Sequence, residues 1–373
     1  MSSSRTPGAG GPGDAGFADT PSDFDDTPAP PPVTVVMPVL NEARHLRRSV
    51  GHALGQDYPG AIEVVLAVGP STDGTHELVA RLKGEDPRVR SVRNPSGATP
   101  NALNAAVRAA RHEIVVRVDG HAMIPPDYVR TAVELLCRTG ADNVGGIMAA
   151  EGETPFERAV ACAMTSPLGV GGSRFHTGGE EGPSDTVYLG VFRRSTLERL
   201  GGYDEAFARA QDWELNYRIR RAGGLVYFSP ALRVSYRPRS SVRSLARQYR
   251  DYGRWRRVVM RQHHGSATLR YLTPPVALVG VVAGLAVGLV GLVAGSALLT
   301  AALVVPGGYA AAVSLGGLVT GWGLPVGSLV RLPLVYAVMH LAWGWGFLTS
   351  NRSLGAGARS AEHPGEPSVS LGG

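Results

Sequence analysis

The sequence predicts an α/β fold, with a mostly parallel sheet and crossover helices, followed by transmembrane helices at the C-terminal end. The first observation is an alternation between residues 33 and 236, where short β-branched runs alternate with amphipathic stretches at the spacing of β–α–β units. The second is a long apolar region after residue 270, in which Arg331 is the only formally charged residue between Tyr271 and Thr349. A span needs about 20 apolar residues, so this region has room for about three helices.

Composition divides the chain of 373 residues into segments. Residues 1–32 are rich in Gly, Pro, Ser and Asp without an apolar run, so we expect a disordered tail that carries no secretory signal. The further segments are an α/β domain at 33–236, a basic amphipathic segment at 237–270, a membrane region at 271–350 and a second disordered tail at 351–373. Two cysteines, Cys137 and Cys162, are too few for a disulfide scaffold and fit a reducing compartment.

Each element of the α/β domain has a local signal. Strands are predicted where β-branched residues run together, at 33–38, 62–68, 89–92, 114–118, 186–193, 225–228 and 232–236. Helices are predicted where apolar residues recur at helical spacing, at 46–54, 76–83, 101–110, 127–138 and 210–222. Asn41 is expected to cap the first helix, and Thr99 with Pro100 to open the third. Residues 165–185 are rich in Gly, Ser and Thr, which predicts a mobile loop over a site.

The segment before the apolar region is strongly basic. Residues 237–270 contain ten arginines and one acidic residue, Asp251, so the positive net charge of this segment exceeds the net charge of +6 of the whole chain. Its apolar and aromatic residues recur at helical spacing over 241–262, which predicts a helix lying in the membrane interface. Because membrane spans follow directly, we expect membrane lipids as partners of the arginines and no nucleic acid.

Apolar spans are predicted near 276–295, 297–320 and 330–349. Arginines placed just before the first span predict that residues 1–270 stay on the cytoplasmic side. The chain is thus expected to be a multi-pass protein of the inner cell membrane with a cytoplasmic α/β domain. An odd number of spans would place the C-terminal tail outside, and the weakly apolar stretch around Pro306 leaves that number open.

One predicted strand ends in two metal-capable side chains. The run at 114–118 leads directly into Asp119, Gly120 and His121, and open α/β sheets bind ligands at the carboxyl edge of their strands. A carboxylate suits a hard cation, and an imidazole suits a cation that tolerates nitrogen, such as Mn²⁺. The alternative is that Asp119 caps the following turn and His121 is a surface residue, which an isolated Asp-Gly-His motif favours.

Further motifs occur in order on both sides of this one. They are Val-Val-Met-Pro-Val-Leu-Asn-Glu at 35–42, Ser-Thr-Asp-Gly-Thr at 71–75, Asn-Ala-Leu-Asn at 101–104, Gly-Gly-Tyr-Asp-Glu at 201–205 and Gln-Asp-Trp-Glu-Leu at 211–215. With these motifs, residues 33–236 resemble the inverting family-two glycosyltransferases, whose nucleotide-sugar-binding domain has the GT-A fold; Asp119 and His121 occupy the DxD position. The basic segment, with Tyr249, Tyr252 and Trp255, and the apolar tail look most like the succinoglycan-type exopolysaccharide branch.

The resemblance implies a membrane-anchored, metal-dependent enzyme. It would move a sugar from a nucleotide-sugar donor, expected to be a UDP-sugar, to a lipid-linked saccharide or a polysaccharide, with Mg²⁺ or Mn²⁺ as cofactor. Asp212 would be the catalytic base, and Asp119 with His121 would hold the metal. The implied donor-binding residues are Pro38, Asn41, Glu42, Asp73, Asn104 and Asp119. The candidates for acceptor or phosphate contacts are Arg193, Gln211, Trp213, Arg254 and Trp255.

Lysine is nearly absent from this chain. Lys83 is the only one in the sequence, so a clamp on the donor's phosphates would come from arginine. Arg117, Arg193 and Arg194 are the candidates near the motifs. Arginines on a protein surface are as often merely solvated, and that interpretation stays open for each of them.

Some positions depart from the family's pattern. Val68 and Gly69 stand where the family has two acidic residues, Gln211 stands where it has Glu, and His121 replaces the second Asp of DxD. These replacements motivate one alternative, a membrane-tethered module that binds sugar nucleotides without turnover. Another alternative is a processive polysaccharide synthase. Such enzymes carry a QxxRW motif, whereas the Gln and the Arg-Trp pair of 248–255 are too far apart.

Overall fold

The predicted α/β fold is confirmed by the structure, a computed structural model that describes residues 29–263 and 265–354. The two expected tails lie outside the described residues, apart from 29–32 and 351–354. Within the described part of the chain, one sheet contains the strands β1 Val33–Val39, β2 Ile62–Val68, β3 Val89–Arg93, β4 Ile114–Arg117, β5 Asn143–Ala150, β6 Gly182–Pro183, β7 Tyr188–Arg193 and β8 Val226–Tyr236.

The order of the strands brings the candidate motifs to one edge. It is β3-β2-β1-β4-β7-β5-β8-β6. The strands β1 to β4 run parallel, with Val36 of β1 between Val65 of β2 and Arg117 of β4. Because parallel strands end at the same edge of a sheet, the segments after β1, β2 and β4 come together there. Strand β7 runs antiparallel to both of its neighbours, β4 and β5.

The middle of the sheet differs from the prediction at two strands. The prediction missed β5, because Gly145 and Gly146 interrupt its apolar pattern. A Cβ on Gly146 would lie 1.8 Å from the carbonyl oxygen of Leu232, so glycine is what lets β5 and β8 approach each other. The register between the two strands shifts at this point. The strands predicted at 225–228 and 232–236 are one continuous strand, β8.

Helices cover both faces of the sheet. Those of the α/β domain are α1 Leu46–Leu54, α2 Thr75–Glu85, α3 Thr99–Ala109, α4 Tyr128–Thr139, α5 Pro155–Met164, α6 Pro167–Val170, α7 Arg174–Thr177, α8 Arg194–Arg199 and α9 Gln211–Arg221. Because side chains alternate along a strand, Val35 and Met37 belong to the apolar core on one face, and Val36 belongs to the core on the other.

The segment 165–185 is folded rather than open. It contains α6, α7 and β6, and it follows α5, which begins at a capping box formed by Thr154 and Glu157. A Cβ on Gly169 would lie 2.0 Å from the carbonyl oxygen of Ala163, so the segment packs closely on the end of α5. The prediction of a mobile loop is therefore replaced by a run of short elements. Their glycines and polar residues serve the tight connections between them.

After β8 come α10 Val242–Gln262 and, among the described residues, three apolar regions long enough to cross a membrane. The first is α11 Leu269–Ala294, the second comprises α12 Ala297–Thr300, a 3₁₀ turn Ala301–Leu303 and α13 Val304–Thr320, and the third comprises α14 Val326–Leu329 and α15 Leu332–Leu348. Many of their large apolar side chains are exposed, Val293 by 92% and Val319 by 76%, as helices that face lipid require. Three candidate spans are thus confirmed by length and composition.

The apolar face of α10 packs against protein. Its residues Leu245 and Tyr249 are buried. A Cβ on Gly253 would lie 2.0 Å from the carbonyl oxygen of Trp343, and one on Gly346 would lie 1.9 Å from that of Arg250. The backbones of α10 and α15 therefore touch along two glycines, as in closely packed membrane helices. The helix α15 covers part of this face, and the expectation that α10 lies in the membrane interface stays a prediction.

Candidate active site

Asn41 links the loops that follow β1 and β2. Its backbone is left-handed, with a φ of 55°, and its N–H donates to Ser71 Oγ at 3.0 Å. Its side-chain oxygen accepts from the backbone N–H of Thr72 at 2.9 Å. The expectation that Asn41 caps α1 is therefore wrong, since α1 begins after His45. The asparagine instead fixes the edge of the predicted donor pocket, and Asn is one of the residues that tolerate a positive φ.

Asp73 holds the same two loops together. Its carboxylate accepts from the backbone N–H of Ala43 at 3.0 Å and from the hydroxyl of Thr75 at 2.6 Å. The Thr75 hydroxyl oxygen in turn accepts from the N–H of Glu42 at 2.9 Å. The hydrogen bond from Thr75 is the main cause that lowers the pKa of Asp73. This carboxylate is thus ionised and shapes the pocket, while its contact with a donor stays a prediction.

His121 is directed at Glu42. Its Nδ1 lies 2.7 Å from Glu42 Oε1, and this hydrogen bond raises the pKa of His121. Gly120 passes close to both neighbouring loops, because a Cβ there would lie 3.0 Å from Glu42 Cγ and 3.3 Å from the carbonyl oxygen of Pro38. The predicted donor residues Pro38 and Glu42 therefore lie at the same edge as the DxD position.

Arg117 joins two carboxylates that lie far apart in the sequence. Its side chain is only 4% exposed; Nε lies 3.1 Å from Asp119 Oδ1, and Nη1 contacts Asp212 Oδ1. The guanidinium carbon also lies 5.9 Å from the ring centre of Tyr203. Sequence reasoning treated Arg117 as one of several phosphate clamps and missed this bridge. The signal was present, since residues 117 and 119 point to the same side of an extended segment.

Asp212 lies in the first turn of α9, where its side chain is 34% exposed and its Oδ1 contacts Nη1 of Arg117. Loss of hydration is the largest cause acting on it and raises the pKa of Asp212. Arg117 opposes this shift, and the charge of Asp119 adds to it. A carboxylate with a raised pKa binds a proton more readily. The positive end of the α9 dipole acts in the opposite direction, because it stabilises the ionised carboxylate. This is the environment that a general base requires.

Asn104 positions the turn that leads towards α9. Its side-chain nitrogen donates to the carbonyl oxygen of Tyr203 at 2.8 Å and to Glu205 Oε1 at 3.0 Å, and its oxygen accepts from the N–H of Tyr203 at 2.8 Å. A Cβ on Gly202 would lie 2.5 Å from that oxygen. The predicted direct contact of Asn104 with a donor is therefore wrong, because its polar atoms are used by the turn.

Arg193 lies at the wrong edge of the sheet for the role predicted for it. It pairs with Ile114, the first residue of β4, because β7 runs antiparallel to that strand. Its side chain donates to the carbonyl oxygens of Ala141 at 3.2 Å and Leu136 at 3.1 Å. Arg193 closes the end of α4 and does not contact the site. The sequence does not show that β7 runs antiparallel to β4, and the prediction that Arg193 contacts a phosphate or the acceptor was wrong for that reason.

Of the other acceptor candidates, Gln211 and Trp213 belong to the first turn of α9 and Trp255 to the same apolar cluster as Trp213, whereas Arg254 has contacts elsewhere. Gln211 opens the helix beside Asp212, and Trp213 is buried, with its ring stacked on Tyr217 at 5.3 Å between centres. Trp255 packs on Phe207 at 6.1 Å, and Arg254 Nη1 lies 3.8 Å from Asp251. Trp213 and Trp255 thus serve one apolar cluster at the junction of α9 and α10.

The acidic residues do not form a preformed metal cage. Among the described residues, no group of three His, Cys, Asp or Glu side chains is placed to hold an ion. Asp119 remains 23% exposed, with only its Oδ1 engaged by Arg117. One carboxylate completed by substrate phosphates is the usual arrangement for Mg²⁺, so these residues fit a cation shared with a diphosphate. His121 is engaged by Glu42 at Nδ1, and its predicted metal contact stays a prediction.

Known proteins resemble this chain in sequence and in fold. Residues 34–201 match the family described as Glycosyl transferase family 2. The succinoglycan biosynthesis protein ExoA of Rhizobium meliloti is 35% identical over 84% of this chain and 93% of its own length. A glucuronosyltransferase of Methanococcus voltae that acts on a dolichyl phosphate-linked sugar is 25% identical, over 62% of this chain and 74% of its own.

A solved structure supports the same fold. The mannosyltransferase PcManGT from Pyrobaculum calidifontis, in complex with GDP-Man and Mn²⁺, matches with a TM-score of 0.54 at 22% identity, over 86% of this chain and 87% of its own. At that identity the likeness concerns the fold alone, and it agrees with the mostly parallel sheet and its crossover helices. The sequence matches decide the family: this chain belongs to glycosyltransferase family 2 and is a glycosyltransferase with a GT-A domain and three apolar helices after it.

Proposed function

We propose that this enzyme transfers a sugar from a nucleotide-sugar donor to a lipid-linked saccharide or a polysaccharide, with inversion, in the synthesis of an exopolysaccharide or another cell-envelope glycan. The observation that carries the proposal is the cluster of Asp119, Arg117 and Asp212 at the carboxyl edge of the sheet. The name of the similar succinoglycan biosynthesis protein favours the polysaccharide pathway.

Asp212 is the base in this proposal. Its side chain is a third exposed, so an acceptor hydroxyl can reach it, and its raised pKa favours proton uptake. The hydroxyl oxygen attacks the anomeric carbon while Asp212 takes its proton. The bond to the nucleoside diphosphate breaks on the opposite face, so the configuration inverts. Arg117 keeps the carboxylate in place and holds Asp119 beside it.

The donor is proposed to lie against the loops after β1, β2 and β4. Pro38, Asn41 and Glu42 would line the nucleotide pocket that Asp73 stabilises, and Asp119 would face the diphosphate. A divalent cation bound by Asp119 and the diphosphate would neutralise the charge of the leaving group. His121 is the second proposed ligand. The bound GDP-Man and Mn²⁺ in the mannosyltransferase of similar fold favour a nucleotide sugar and a divalent cation.

The membrane arrangement is proposed from charge and hydropathy together. The arginines of α10 precede three apolar regions, so the GT-A domain would lie on the cytoplasmic side of the inner membrane. Nucleotide sugars and lipid-linked acceptors would then meet at that face. The surroundings of Gln248 do not support the alternative of a processive synthase. Gln248 donates to the hydroxyls of Tyr236 at 2.8 Å and Tyr252 at 2.7 Å, away from the Arg254–Trp255 pair.

Donor binding tests the proposal directly. A panel of UDP- and GDP-sugars with Mn²⁺ or Mg²⁺ should raise the melting temperature of the purified full-length protein for at least one donor. Asp119→Ala should abolish that metal-dependent shift, because it removes the carboxylate that shares the cation. Asp127→Ala, at the start of α4, is the control and should leave the shift unchanged. A metal-dependent shift that persists in Asp119→Ala would contradict the role given to Asp119.

A further inference from the structure

Arg256 of α10 lies between two aromatic rings, one of them that of Trp213, the residue after the proposed base. Its guanidinium carbon is 4.5 Å from the ring centre of Trp213 and 4.1 Å from that of Tyr271. Its Nη1 is buried and has no hydrogen-bond partner among residues 29–263 and 265–354. The negative charge of Asp185 interacts with Arg256, but Asp185 Oδ2 already forms an ion pair with Arg270 Nη2 at 2.7 Å. A cation shielded from water without its own counter-ion is costly, so an anion from outside the chain would stabilise it.

An apolar groove lies next to this arginine. It has a volume of about 480 Å³ and is lined by Leu272, Val276 and Val279 of α11 and by Phe347 and Leu348 of α15. Leu272 follows Tyr271 in the chain. The guanidinium carbon of Arg257 lies 4.8 Å from the ring centre of Phe347. Two consecutive arginines therefore stand at the end of a groove between two candidate spans, which is the charge pattern that an anionic lipid matches.

We propose that Arg256 and Arg257 bind the phosphate groups of the lipid that carries the acceptor saccharide, with its hydrocarbon chain in the groove between α11 and α15. This inference rests on the proposed function and identifies where its acceptor is held. Trp213 stacks on Arg256 and directly follows Asp212 in α9, so the proposed phosphate site and the proposed base belong to the same end of α9. Arginine suits this task because its planar fork binds phosphate with two hydrogen bonds.

The site is separate from the donor's diphosphate. The donor is assigned to the loops after β1, β2 and β4, whereas Arg256 contacts α9 and the first residues of α11. A molecule at Arg256 that also fills the groove must come from the membrane. An ordinary phospholipid shares the chain but offers a phosphodiester with a single charge, whereas a lipid diphosphate offers more anionic oxygens for two arginines to bind. The experiment therefore compares both kinds of lipid and the donor.

The test measures binding to the full-length protein in nanodiscs of phosphatidylcholine. Farnesyl diphosphate serves as the probe, and phosphatidylglycerol and inorganic pyrophosphate are the competitors. We expect wild type to bind farnesyl diphosphate more tightly than either competitor, and Arg256→Gln to weaken that binding by about ten- to a hundredfold. Arg247→Gln removes an exposed arginine of the same helix and should leave the affinity unchanged.

A second variant tests the groove and does not depend on Arg256. Val279→Trp places a large side chain in the groove at a residue that is 52% exposed, so folding should be preserved. It should remove the preference for farnesyl diphosphate over pyrophosphate and leave pyrophosphate binding intact. Equal affinity of wild type and Arg256→Gln for the probe would overturn the inference, and so would equal affinity for phosphatidylglycerol.

The donor provides the remaining comparison. Arg256→Gln should keep the metal-dependent melting shift with nucleotide sugars, and a loss of that shift would assign Arg256 to the donor instead. Failure of every donor to bind wild type would count against the proposed function alone, since binding of the lipid probe is measured without donor. The two proposals therefore fail in distinguishable ways.

Discussion

Arg117 places one positive charge between two carboxylates with different proposed tasks. Asp119 would face a cation and the diphosphate, and Asp212 would face the acceptor hydroxyl. Without the guanidinium, two anions would stand close together in a partly dehydrated site, which would raise the pKa of Asp212 further. The residue is nearly fully buried, so it acts on the reaction through its neighbours. We regard it as a positioning residue.

Replacement of Arg117 by Met should change the pH dependence of transfer. Burial and the charge of Asp119 raise the pKa of Asp212 while Arg117 lowers it, so loss of the arginine should raise that pKa further. The base must be deprotonated to act, and the acidic limb of the pH–rate profile should therefore move to higher pH. The rate at neutral pH should fall by about a hundredfold, because the carboxylate also loses its orientation. The measurement is kcat against pH at saturating donor.

Two further variants control this experiment. Arg117→Lys keeps the charge and should keep the position of the acidic limb, although one lysine cannot hold both carboxylates as the guanidinium does. Arg108→Met removes an exposed arginine of α3 and should leave the profile unchanged. An acidic limb that stays in place in a folded Arg117→Met enzyme would contradict the role assigned to Arg117.

At the scale of elements, the approach of β5 to β8 controls the middle of the sheet. Gly146 is the point of contact, since any side chain there would meet the backbone at Leu232. Strand β5 also pairs with β7, whose other neighbour is β4, the strand that leads into Asp119. A shift of β5 should therefore reach the site through two pairs of strands.

Gly146→Ala should destabilise the enzyme by about 3 kcal/mol, because the added methyl group forces β5 and β8 apart. Gly51→Ala is the matched control on α1, where a Cβ would meet no atom within 4 Å. That variant should be stabilised by about 0.5–1 kcal/mol, since alanine restricts the unfolded chain. Both changes can be read from thermal unfolding in detergent. Equal stability of Gly146→Ala and wild type would refute the tight contact.

The elements that the sequence predicts well are those with unbroken patterns. The β-branched runs of β1, β2 and β4 and the uncharged C-terminal region could be recognised without a structure. Strand β5 could not, because the glycines that permit its pairing also hide its pattern. Arg193 and Asn104 were assigned to the site from their position in the chain, and their true partners depend on strand direction and on a turn a hundred residues away. The sequence likewise gives no reason to single out Arg256 among the ten arginines of 237–270, because its contacts with Trp213 and Tyr271 are seen only in the structure.

At the scale of the whole molecule, the predicted topology can be mapped with reporters. Alkaline phosphatase fused after Gly295, which follows α11, should be active, because the first span places that point outside. A fusion at the C-terminus should be inactive, because Arg261 of α10 donates to the carbonyl oxygens of Ser350 and Asn351 and so holds the end of α15 on the side of the GT-A domain. A fusion after Gly321, between the second and third regions, should be inactive, and a fluorescent protein there should be bright. Active phosphatase at the C-terminus would contradict this placement of α15, and inactive phosphatase after Gly295 would contradict a cytoplasmic GT-A domain.

The assembly brings a catalytic edge, a basic helix and apolar helices into one continuous unit. The helix α10 packs on α15 and also places Arg256 against Trp213, the residue after Asp212. The site is thus built partly from the segment that leads into the membrane. Truncation after the GT-A domain should leave the donor loops but remove the acceptor side.

The central claim is that Asp212 is the base of an inverting transfer, and Asp212→Asn tests it most directly. The substitution keeps the size of the side chain and removes its capacity to take a proton. With the donor and cation that stabilise wild type, and with a membrane extract as acceptor, we expect unchanged donor binding and a fall in transfer of about a thousandfold. Transfer by Asp212→Asn at the wild-type rate would contradict the account.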